Sequence, residues 1–317
     1  MIKFAKYWAR KLVSKILGME DRFNAMENQA EFIALLAGSI AMTQQKLVGQ
    51  PGKLSDMEFK VFSQFGDDGI ISFLVERLQI PRNLQTFVEF GVEDYRESNT
   101  RFLLMAKNWR GLVLDGSDAN VKKIKDWPKY WRYDLTAIAS FIDAANINAL
   151  LKAGNISGEI GLLSVDIDGN DYWVWQAIDT VNPWIVVTEY NSVFGDQVAV
   201  TVPYAPNFQR SIAHPSNLFY GASLGALKLL AKEKGYQFVG CNSAGNNSYF
   251  VRNDKVGLLA GLAQDATYEL SRFRESVGPG RSLLSGNDRL IEIQDQIVWD
   301  VKNKSTLPLR DLFDRVE

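Results

Sequence analysis

Short apolar runs alternate with helix-period segments through the middle of the chain. The apolar runs, which predict five strands, lie at residues 87–90, 111–114, 138–142, 160–165 and 184–188. The segments between them predict helices at residues 99–107, 119–125, 144–153 and 172–178. Parallel neighbouring strands need a crossover connection, usually a helix. The alternation therefore predicts an α/β fold with a doubly wound, mostly parallel sheet.

The pattern changes towards the end of this region. A helix is predicted at residues 224–234 and stops at Gly235, a typical residue just beyond a helix end. Two further strands, at residues 236–241 and 248–251, are too close for a crossover and should form a terminal antiparallel hairpin. Seven strands in this arrangement resemble the Rossmann-like sheet of class I methyltransferases. The fold class expected from this resemblance is that sheet with helical N-terminal and C-terminal additions.

Three regions follow from these patterns: a helical region at 1–60, the α/β domain at 61–255 and a helical extension at 256–317. Charged residues interrupt the apolar positions of residues 1–19, so this segment lacks the apolar core of a signal peptide. Its apolar residues recur at helical spacing, which predicts a basic amphipathic helix. Two interpretations stay open: peripheral contact with an anionic membrane surface, or packing on this domain or on another subunit of a homo-oligomer.

The composition of the chain excludes several classes of protein and of site. The chain has 317 residues, 46% of them hydrophobic and 23% charged, which excludes a disordered chain, a collagen and a coiled-coil protein. The net charge of −2 is unlike that of a nucleic-acid-binding protein. A single cysteine, Cys241, excludes an internal disulfide and suits the cytoplasm, with the inner face of the membrane as the alternative location. A single histidine, His214, excludes two-histidine zinc sites.

Two predicted strands end in an acid, as nucleotide-binding sheets often do. Residues 87–91 place Glu89 and Gly91 at the end of the first strand, and Asp115 ends the second, 26 residues after Glu89. Ligands of open α/β sheets bind at such strand ends, where glycine permits close approach and the second acid accepts ribose hydroxyls. The segment after Phe90 lacks the G-x-G-x-x-G pattern, which argues against a dinucleotide. A nucleoside without phosphates, such as S-adenosylmethionine, fits better.

A denser group of acids follows the fourth predicted strand. Asp166, Asp168 and Asp171 fall within six positions, and Glu189 and Asn191 follow the next strand. Converging oxygen atoms favour Mg²⁺ or another divalent cation. Helix capping by Asp168 or Asn170 is the structural alternative. Asp166 and Asp168 also match the nucleophile motif of a class of phosphohydrolases, which leaves a phosphohydrolase as a further alternative.

Several motifs together resemble the FkbM-like S-adenosylmethionine-dependent methyltransferases. They are SQFGDDG at 63–69, FVEFG at 87–91, SNT at 98–100, DIDGNDY at 166–172, EYN at 189–191 and YGASL at 220–224. The resemblance implies methyl transfer to a hydroxyl of a sugar, polysaccharide or other small-molecule acceptor. It also implies a divalent cation held by Asp166 or Asp168 with Glu189 and Asn191. Tyr190 separates the last two residues, which departs from the pattern of those relatives.

Further site residues are expected from position or from this resemblance. Gln64 would lie near the methionine end of the cofactor, while Asn99 and Thr100 would meet its carboxylate, and Asp143 or Asn146 would reach adenine. Asp166 also belongs to the expected cofactor site. Asp166, Asp168 and His214 are the candidates for removing the acceptor proton. A catalytically inactive protein that binds a glycan or a partner through the same fold stays open.

Overall fold

The computed structural model describes residues 2–47, 49, 51–271 and 282–313. Its longest element is the helix α1, Ile2–Gln45, which spans 44 residues. The segment contains no proline and ends six residues before Pro51, so nothing in its sequence interrupts the helix. The predicted membrane contact involves residues 1–19. The side chains of residues 2–17 and the whole of Met1 lie outside the described part of the chain. Within the described residues, no helix is both long enough and apolar enough to span a bilayer.

A seven-stranded sheet forms the centre of the fold. The ten strands of the described residues are β1 Thr86–Phe90, β2 Arg110–Asp115, β3 Leu135–Ala139, β4 Gly158–Val165, β5 Val181–Glu189, β6 Val200–Thr201, β7 Tyr236–Cys241, β8 Asn247–Arg252, β9 Ile297–Asp300 and β10 Ser305–Pro308. The large sheet has the order β3-β2-β1-β4-β5-β8-β7, and β8 runs antiparallel to both of its neighbours. This confirms the predicted seven-stranded, mostly parallel class I methyltransferase fold.

Helices cover both faces of the sheet. After α1, the helices of the described residues are α2 Asp67–Leu78, α3 Arg101–Lys107, α4 Asp118–Lys125, α5 Ile147–Ala153, α6 Asp171–Ala177, α7 Arg210–Ala213, α8 Leu224–Glu233, α9 Ala260–Asp265, α10 Asp288–Ile293 and α11 Arg310–Phe313. Side chains alternate across each strand, so β1 sends Phe87 into one core and Val88 and Phe90 into the other. Burial on both faces explains the nearly continuous apolar runs in the sequence.

The third strand is displaced from its prediction. The structure places β3 at Leu135–Ala139, three residues before the predicted span of 138–142. Three of its five side chains are only partly buried, so its hydrophobic pattern is weaker than that of a strand buried on both faces. The displacement moves residues 140–142 from the strand to the sheet edge.

The C-terminal extension contains strands as well as helices. β9 and β10 pair antiparallel, and β9 also pairs with β6 to form a second sheet of order β10-β9-β6. Each of these strands has four residues or fewer, which is too short to show a period in the sequence.

Candidate active site

The predicted acids gather at one edge of the large sheet. β1, β2, β4 and β5 are parallel and adjacent in space, with Glu89 opposite Ser164 of β4 and Phe90 opposite Leu114 of β2. Asp115 ends β2, Glu189 ends β5, and Asp166 directly follows β4. The sequence prediction that strand ends deliver their acids to a common edge therefore agrees with the structure.

Two adjoining clefts open at this edge. The first cleft has a volume of about 210 Å³, and its wall includes Gly91, Asp115, Asp166 and residues 140–142. The second cleft is more open, has a volume of about 420 Å³ and is lined by Gln209, Arg210, Ser211 and Asn217. Four residues line both clefts: Phe141, Ile167, Asp168 and Phe208. Because the two clefts share a wall, ligands in them would lie next to each other.

Gly91 allows the ends of β1 and β4 to meet. Its φ of +69° lies in the left-handed region, and a Cβ atom there would lie 1.9 Å from the carbonyl oxygen of Asp166. Its amide donates to the Leu114 carbonyl at 2.9 Å. Gly91 therefore lines the first cleft through its backbone, and any side chain would push β1 and β4 apart.

Asp115 is almost buried and lines the first cleft. One carboxylate oxygen accepts the Glu93 amide at 2.8 Å, and the other accepts the Ser117 amide at 2.8 Å and the Asn120 side-chain amide at 3.2 Å. A carboxylate has about four lone-pair sites, so these bonds fix the group without using all of its acceptor capacity. The structure thus places a fixed acceptor where the sequence predicted ribose recognition.

Glu89 holds the loop that precedes α3 instead of lining either cleft. Its carboxylate accepts the Ser98 hydroxyl at 2.6 Å, the Asn99 amide at 2.8 Å, and both the hydroxyl and the amide of Thr100. Burial raises the pKa of Glu89, and these hydrogen bonds oppose that rise. The Asn99 side chain donates to the Ser164 hydroxyl at 3.2 Å. Glu89, Asn99 and Thr100 therefore hold one another in place beside this edge of the sheet, and none of them is among the residues that line the first cleft.

Three other predicted cofactor residues lie away from the first cleft. Asp143 accepts the amides of Ala145 and Asn146, while the Asn146 side chain bonds the Asp143 amide and the Phe141 carbonyl. These bonds form the entry to α5, and the displaced β3 puts Ser140, Phe141 and Ile142 on the cleft wall instead. The Gln64 side chain is exposed and is absent from both cleft walls.

The Asp171 carboxylate shapes the loop that carries Asp168. Its two oxygens accept the amides of Ile167 at 2.7 Å and Gly169 at 2.9 Å. Asp168 has a φ of +54°, an uncommon conformation for a residue with a side chain. A Cβ atom at Gly169 would lie 2.2 Å from the Phe208 ring, so glycine lets the loop pack directly against that ring. Burial raises the pKa of Asp171 to about 6.

Three carboxylates converge beside this loop and form what we call the acid cluster: Asp166, Asp168 and Glu189. One oxygen from each lies within 4.8 Å of the others. Burial and the neighbouring acids raise the pKa of both Asp166 and Glu189 well above their ordinary values. The Oε2 atom of Glu189 is buried and has no hydrogen-bond partner among the described residues. Such an oxygen is costly unless a cation or a proton satisfies it.

Arg210 lies beside the acid cluster, and sequence reasoning missed it. Its guanidinium donates to Asp168 Oδ1 at 2.7 Å and to the Asn217 carbonyl at 2.7 Å, and lies 3.7 Å from the centre of the Tyr220 ring. Burial lowers its pKa, but Tyr220, Glu189 and Asp168 together raise it above the ordinary arginine value. Arg210 is the first residue of helix α7, which has only four residues. A helix this short shows no period in the sequence, so no local pattern pointed to Arg210.

Two predicted site residues have structural partners. The Asn191 side chain donates to the carbonyls of Leu218 and Tyr220 and accepts the Val193 amide, so its amide group holds two loops together. These bonds account for its burial without a metal. His214 contacts the Ser216 hydroxyl through Nδ1 at 2.7 Å and is not among the residues found on either cleft wall. The proton-accepting role expected of His214 stays a prediction.

Comparisons with known proteins give only distant matches. No protein-family model matches the chain, and no curated protein matches it. An O-methyltransferase from Bacillus cereus in complex with SAH is similar over 69% of this chain and 90% of its own, with 11% identity and a TM-score of 0.37. The N-terminal domain of EvdMO1 with SAH bound is similar over 60% of this chain and 80% of its own, with 12% identity and a TM-score of 0.38.

A third solved structure, an S-adenosylmethionine-dependent methyltransferase from Clostridium acetobutylicum, is similar over 56% of this chain and 89% of its own. The identity is 9% and the TM-score is 0.35. These likenesses are distant, and the fold assignment rests on the strand order and directions given above.

Proposed function

We propose that this protein is an S-adenosylmethionine-dependent O-methyltransferase that acts on a hydroxyl of a sugar, polysaccharide or glycosylated metabolite. The observation that carries the proposal is the pair of adjoining clefts at the sheet edge, with Asp115 in the first and Asp168 of the acid cluster on their shared wall. The first cleft would hold the cofactor, and the second would hold the acceptor.

The charges around the first cleft favour a sulfonium nucleoside over a nucleotide. Asp115, Asp166 and Asp168 line it, so a phosphate group would meet repulsion there. A positively charged sulfonium would instead be attracted by the same carboxylates. Methyl transfer converts the sulfonium into a neutral thioether, which lacks this attraction. The product would therefore bind more weakly than S-adenosylmethionine.

The second cleft has the lining that a hydroxyl-rich acceptor needs. Gln209, Arg210 and Ser211 offer hydrogen-bonding groups, while Phe141 and Phe208 supply ring faces. A sugar presents hydroxyls at its rim and C–H groups on its faces, so it can use both kinds of contact. The wall shared with the first cleft would bring an acceptor hydroxyl close to the cofactor methyl group.

Methyl transfer then requires alignment and removal of one proton. The acceptor oxygen forms a bond to the methyl carbon as the carbon–sulfur bond breaks, and the electron pair of that bond stays on sulfur. The hydroxyl proton passes to a carboxylate of Asp166 or Asp168. Asp168 lines both clefts, and the anchored loop fixes its backbone, so it is the better placed of the two.

The acid cluster also fits a divalent cation. Three oxygen donors within 4.8 Å and the unpartnered Glu189 oxygen match the preference of Mg²⁺ for oxygen ligands. Asp166, Asp168 and Glu189 would hold the ion, which would lower the pKa of a bound acceptor hydroxyl. Arg210 already provides one positive charge at Asp168, so the cluster has a cation partner within the chain as well.

Titration calorimetry with S-adenosylmethionine, followed by transfer of labelled methyl groups to glycan extracts, tests the function. Binding with transfer supports the proposal. Binding without transfer to any hydroxyl acceptor would favour the inactive binding protein, and absence of binding would refute the cofactor assignment. Release of phosphate from phosphorylated metabolites would favour the phosphohydrolase alternative.

Metal removal tests the cation separately. If Asp166, Asp168 and Glu189 hold a catalytic ion, dialysis against EDTA will lower methyl transfer at least tenfold, and added Mg²⁺ will restore it. Full activity after dialysis would mean that no ion is needed and that Arg210 alone balances the negative charge of the acid cluster. Cofactor affinity, measured on the same samples, serves as the control for loss of the folded site.

A further inference from the structure

The described side chains in the first half of α1 are open to solvent. Every described side chain from Gly18 to Ala30 is exposed. Large apolar side chains are nevertheless frequent there and further along the helix, and Met26 and Ile33 are 68% and 55% exposed. A chain that exposes a continuous apolar stripe usually covers it with a partner.

The stripe has the spacing of a coiled-coil seam. Its positions alternate steps of four and three residues and are all exposed: Met19, Phe23, Met26, Ala30, Ile33, Ala37 and Ile40. In the sequence, the same steps continue backwards through Ile16, Leu12, Ala9 and Ala5. A strict seven-residue repeat of this kind, with Phe23 at position a and Met26 at position d, is the pattern of a narrow seam between two helices. The composition-based exclusion of a coiled coil therefore does not extend to α1.

A different face of α1 packs against the domain. Glu31 bonds Arg101 at 2.8 Å, a Cβ atom at Gly38 would overlap the side chains of Val61 and Phe102, and the Gln45 side chain donates to the Gly69 carbonyl at 3.0 Å. At about 100° per residue, these positions lie about 130° around the helix from the seam. A second helix can therefore occupy the seam without displacing the domain.

Charges beside the seam favour a parallel copy of the same helix. Arg22 occupies position g and Glu27 position e, the two positions that face each other between parallel, in-register chains. In one chain Glu27 also lies 3.7 Å from the exposed Arg96, so pairing with Arg22 of a second copy would compete with this weak surface contact. The sequence places Lys15 and Glu20 in the same positions one repeat earlier. Antiparallel pairing would bring like charges together. A helix lying on a membrane needs a broad apolar face and a basic polar face, whereas the sequence places the acids Glu20 and Glu27 directly beside this seam.

We propose that α1 forms a parallel two-stranded coiled coil with a second copy of this chain, through the seam that runs from Met19 to Ile40. The inference uses no feature of the two clefts and is independent of the proposed activity. In the resulting dimer, both α/β domains lie at the same end of the paired helices, on their outer sides.

Molar mass in solution gives the first test. Light scattering coupled to size exclusion should give twice the 35.7 kDa of one chain for the unmodified protein. The double variant Met26→Glu with Ile33→Glu adds two acids to each helix and so would place four in the seam of a dimer. It should give a monomer with an unchanged circular dichroism spectrum. The matched control is Ala25→Glu with Phe32→Glu, which adds the same charge to the same helix outside the seam and should remain a dimer; Phe32 is 65% exposed.

Disulfide formation tests the orientation. The native cysteine, Cys241, is buried, so a cysteine introduced in α1 reports on its own surroundings. In a parallel, in-register pair, Met26→Cys meets its own copy and should form a covalent dimer under mild oxidation. Ala25→Cys, one residue away and outside the seam, should form far less.

Three results would overturn the proposal. They are a monomeric unmodified protein at micromolar concentration, a dimer that the seam substitutions leave intact, and a dimer in which Met26→Cys does not crosslink. A monomer that sediments with phosphatidylserine vesicles, and stops doing so after Met26→Glu with Ile33→Glu, would assign the stripe to a membrane surface instead.

Discussion

The carboxylates at the sheet edge have different structural roles, although each follows or ends a strand in the sequence. Glu89 and Asp171 accept backbone amides and hold loops, whereas Asp115 and Asp168 line the clefts. The difference lies in partners that are distant in the chain, such as Arg210, which is 42 residues from Asp168. A local pattern therefore predicts that acids will gather at the edge, but not which acid faces a ligand.

Asp115→Ala should weaken S-adenosylmethionine binding because it removes the acceptor expected to bond the ribose. Loss of hydrogen bonds to a charged group costs about 1.5–3 kcal/mol, or roughly 10- to 150-fold in affinity. Calorimetry measures the change. Asp118→Ala, three residues later on the exposed start of α4, is the control and should bind normally. Equal affinity of the two variants would remove Asp115 from the cofactor site.

Arg210→Gln should lower kcat about tenfold or more and leave cofactor affinity unchanged. The guanidinium contacts Asp168 and lines the second cleft but not the first, so its loss affects the acceptor side. Calorimetry and initial-rate kinetics separate the two effects. Arg132→Gln, at an exposed arginine distant from both cleft walls, is the control. A loss of cofactor binding in Arg210→Gln would mean that the two clefts are not divided as proposed.

At the scale of elements, sequence patterns predicted the large sheet because burial on both faces produces continuous apolar runs. They placed β3 three residues late because three of its five side chains are only partly buried, and this shift assigned adenine contact to Asp143 and Asn146. The wall residues Ser140, Phe141 and Ile142 follow directly once the strand end is known. The short elements β6, β9 and α7 carry too few residues to show a period, so the second sheet and Arg210 were missed.

Gly91→Ala should show how closely β1 and β4 must approach. The added methyl group would meet the Asp166 carbonyl oxygen and also strain a left-handed backbone. We expect a loss of about 3 kcal/mol or more in the free energy of unfolding, measured by chemical denaturation.

Gly116→Ala is the matched control, because it follows β2 on the same cleft wall and its nearest neighbour, a carbon of Phe141, would be 3.7 Å away. Its effect should stay within about 0.5 kcal/mol. If both variants lose a similar free energy of unfolding, the cleft wall accepts no added methyl group at either position, and the close contact at Gly91 is not the cause.

At the scale of the whole molecule, α1 is attached to the α/β domain by a small number of polar contacts. Glu31 bonds both Arg101 and Lys129, and the Arg101 guanidinium also lies over the rings of Phe62 and Trp127. The side chains of Glu31 and Arg101 are only 13% and 10% exposed. Removing one partner of such a pair leaves the other charge buried.

Glu31→Gln should therefore lower the free energy of unfolding by about 3 kcal/mol. Glu97→Gln is the control, since Glu97 is 57% exposed and lies 3.7 Å from Lys60. An exposed pair contributes about 0–1 kcal/mol, so the control should be nearly as stable as the unmodified protein. Urea denaturation measures both, and an equal, small effect would show that the Glu31 ion pairs do not hold α1 on the domain.

The contacts of Arg101 also reach the loop held by Glu89. Arg101 donates to the Tyr95 carbonyl at 2.8 Å, the Tyr95 hydroxyl lies 3.0 Å from that of Thr100, and Thr100 bonds Glu89 at the end of β1. A chain of contacts thus joins Glu31 to β1, which ends next to Gly91. If pairing of two α1 helices alters the position of Glu31, ligand affinity will change with protein concentration. Thermodynamic reciprocity then requires the ligand to strengthen or weaken subunit association by the same factor.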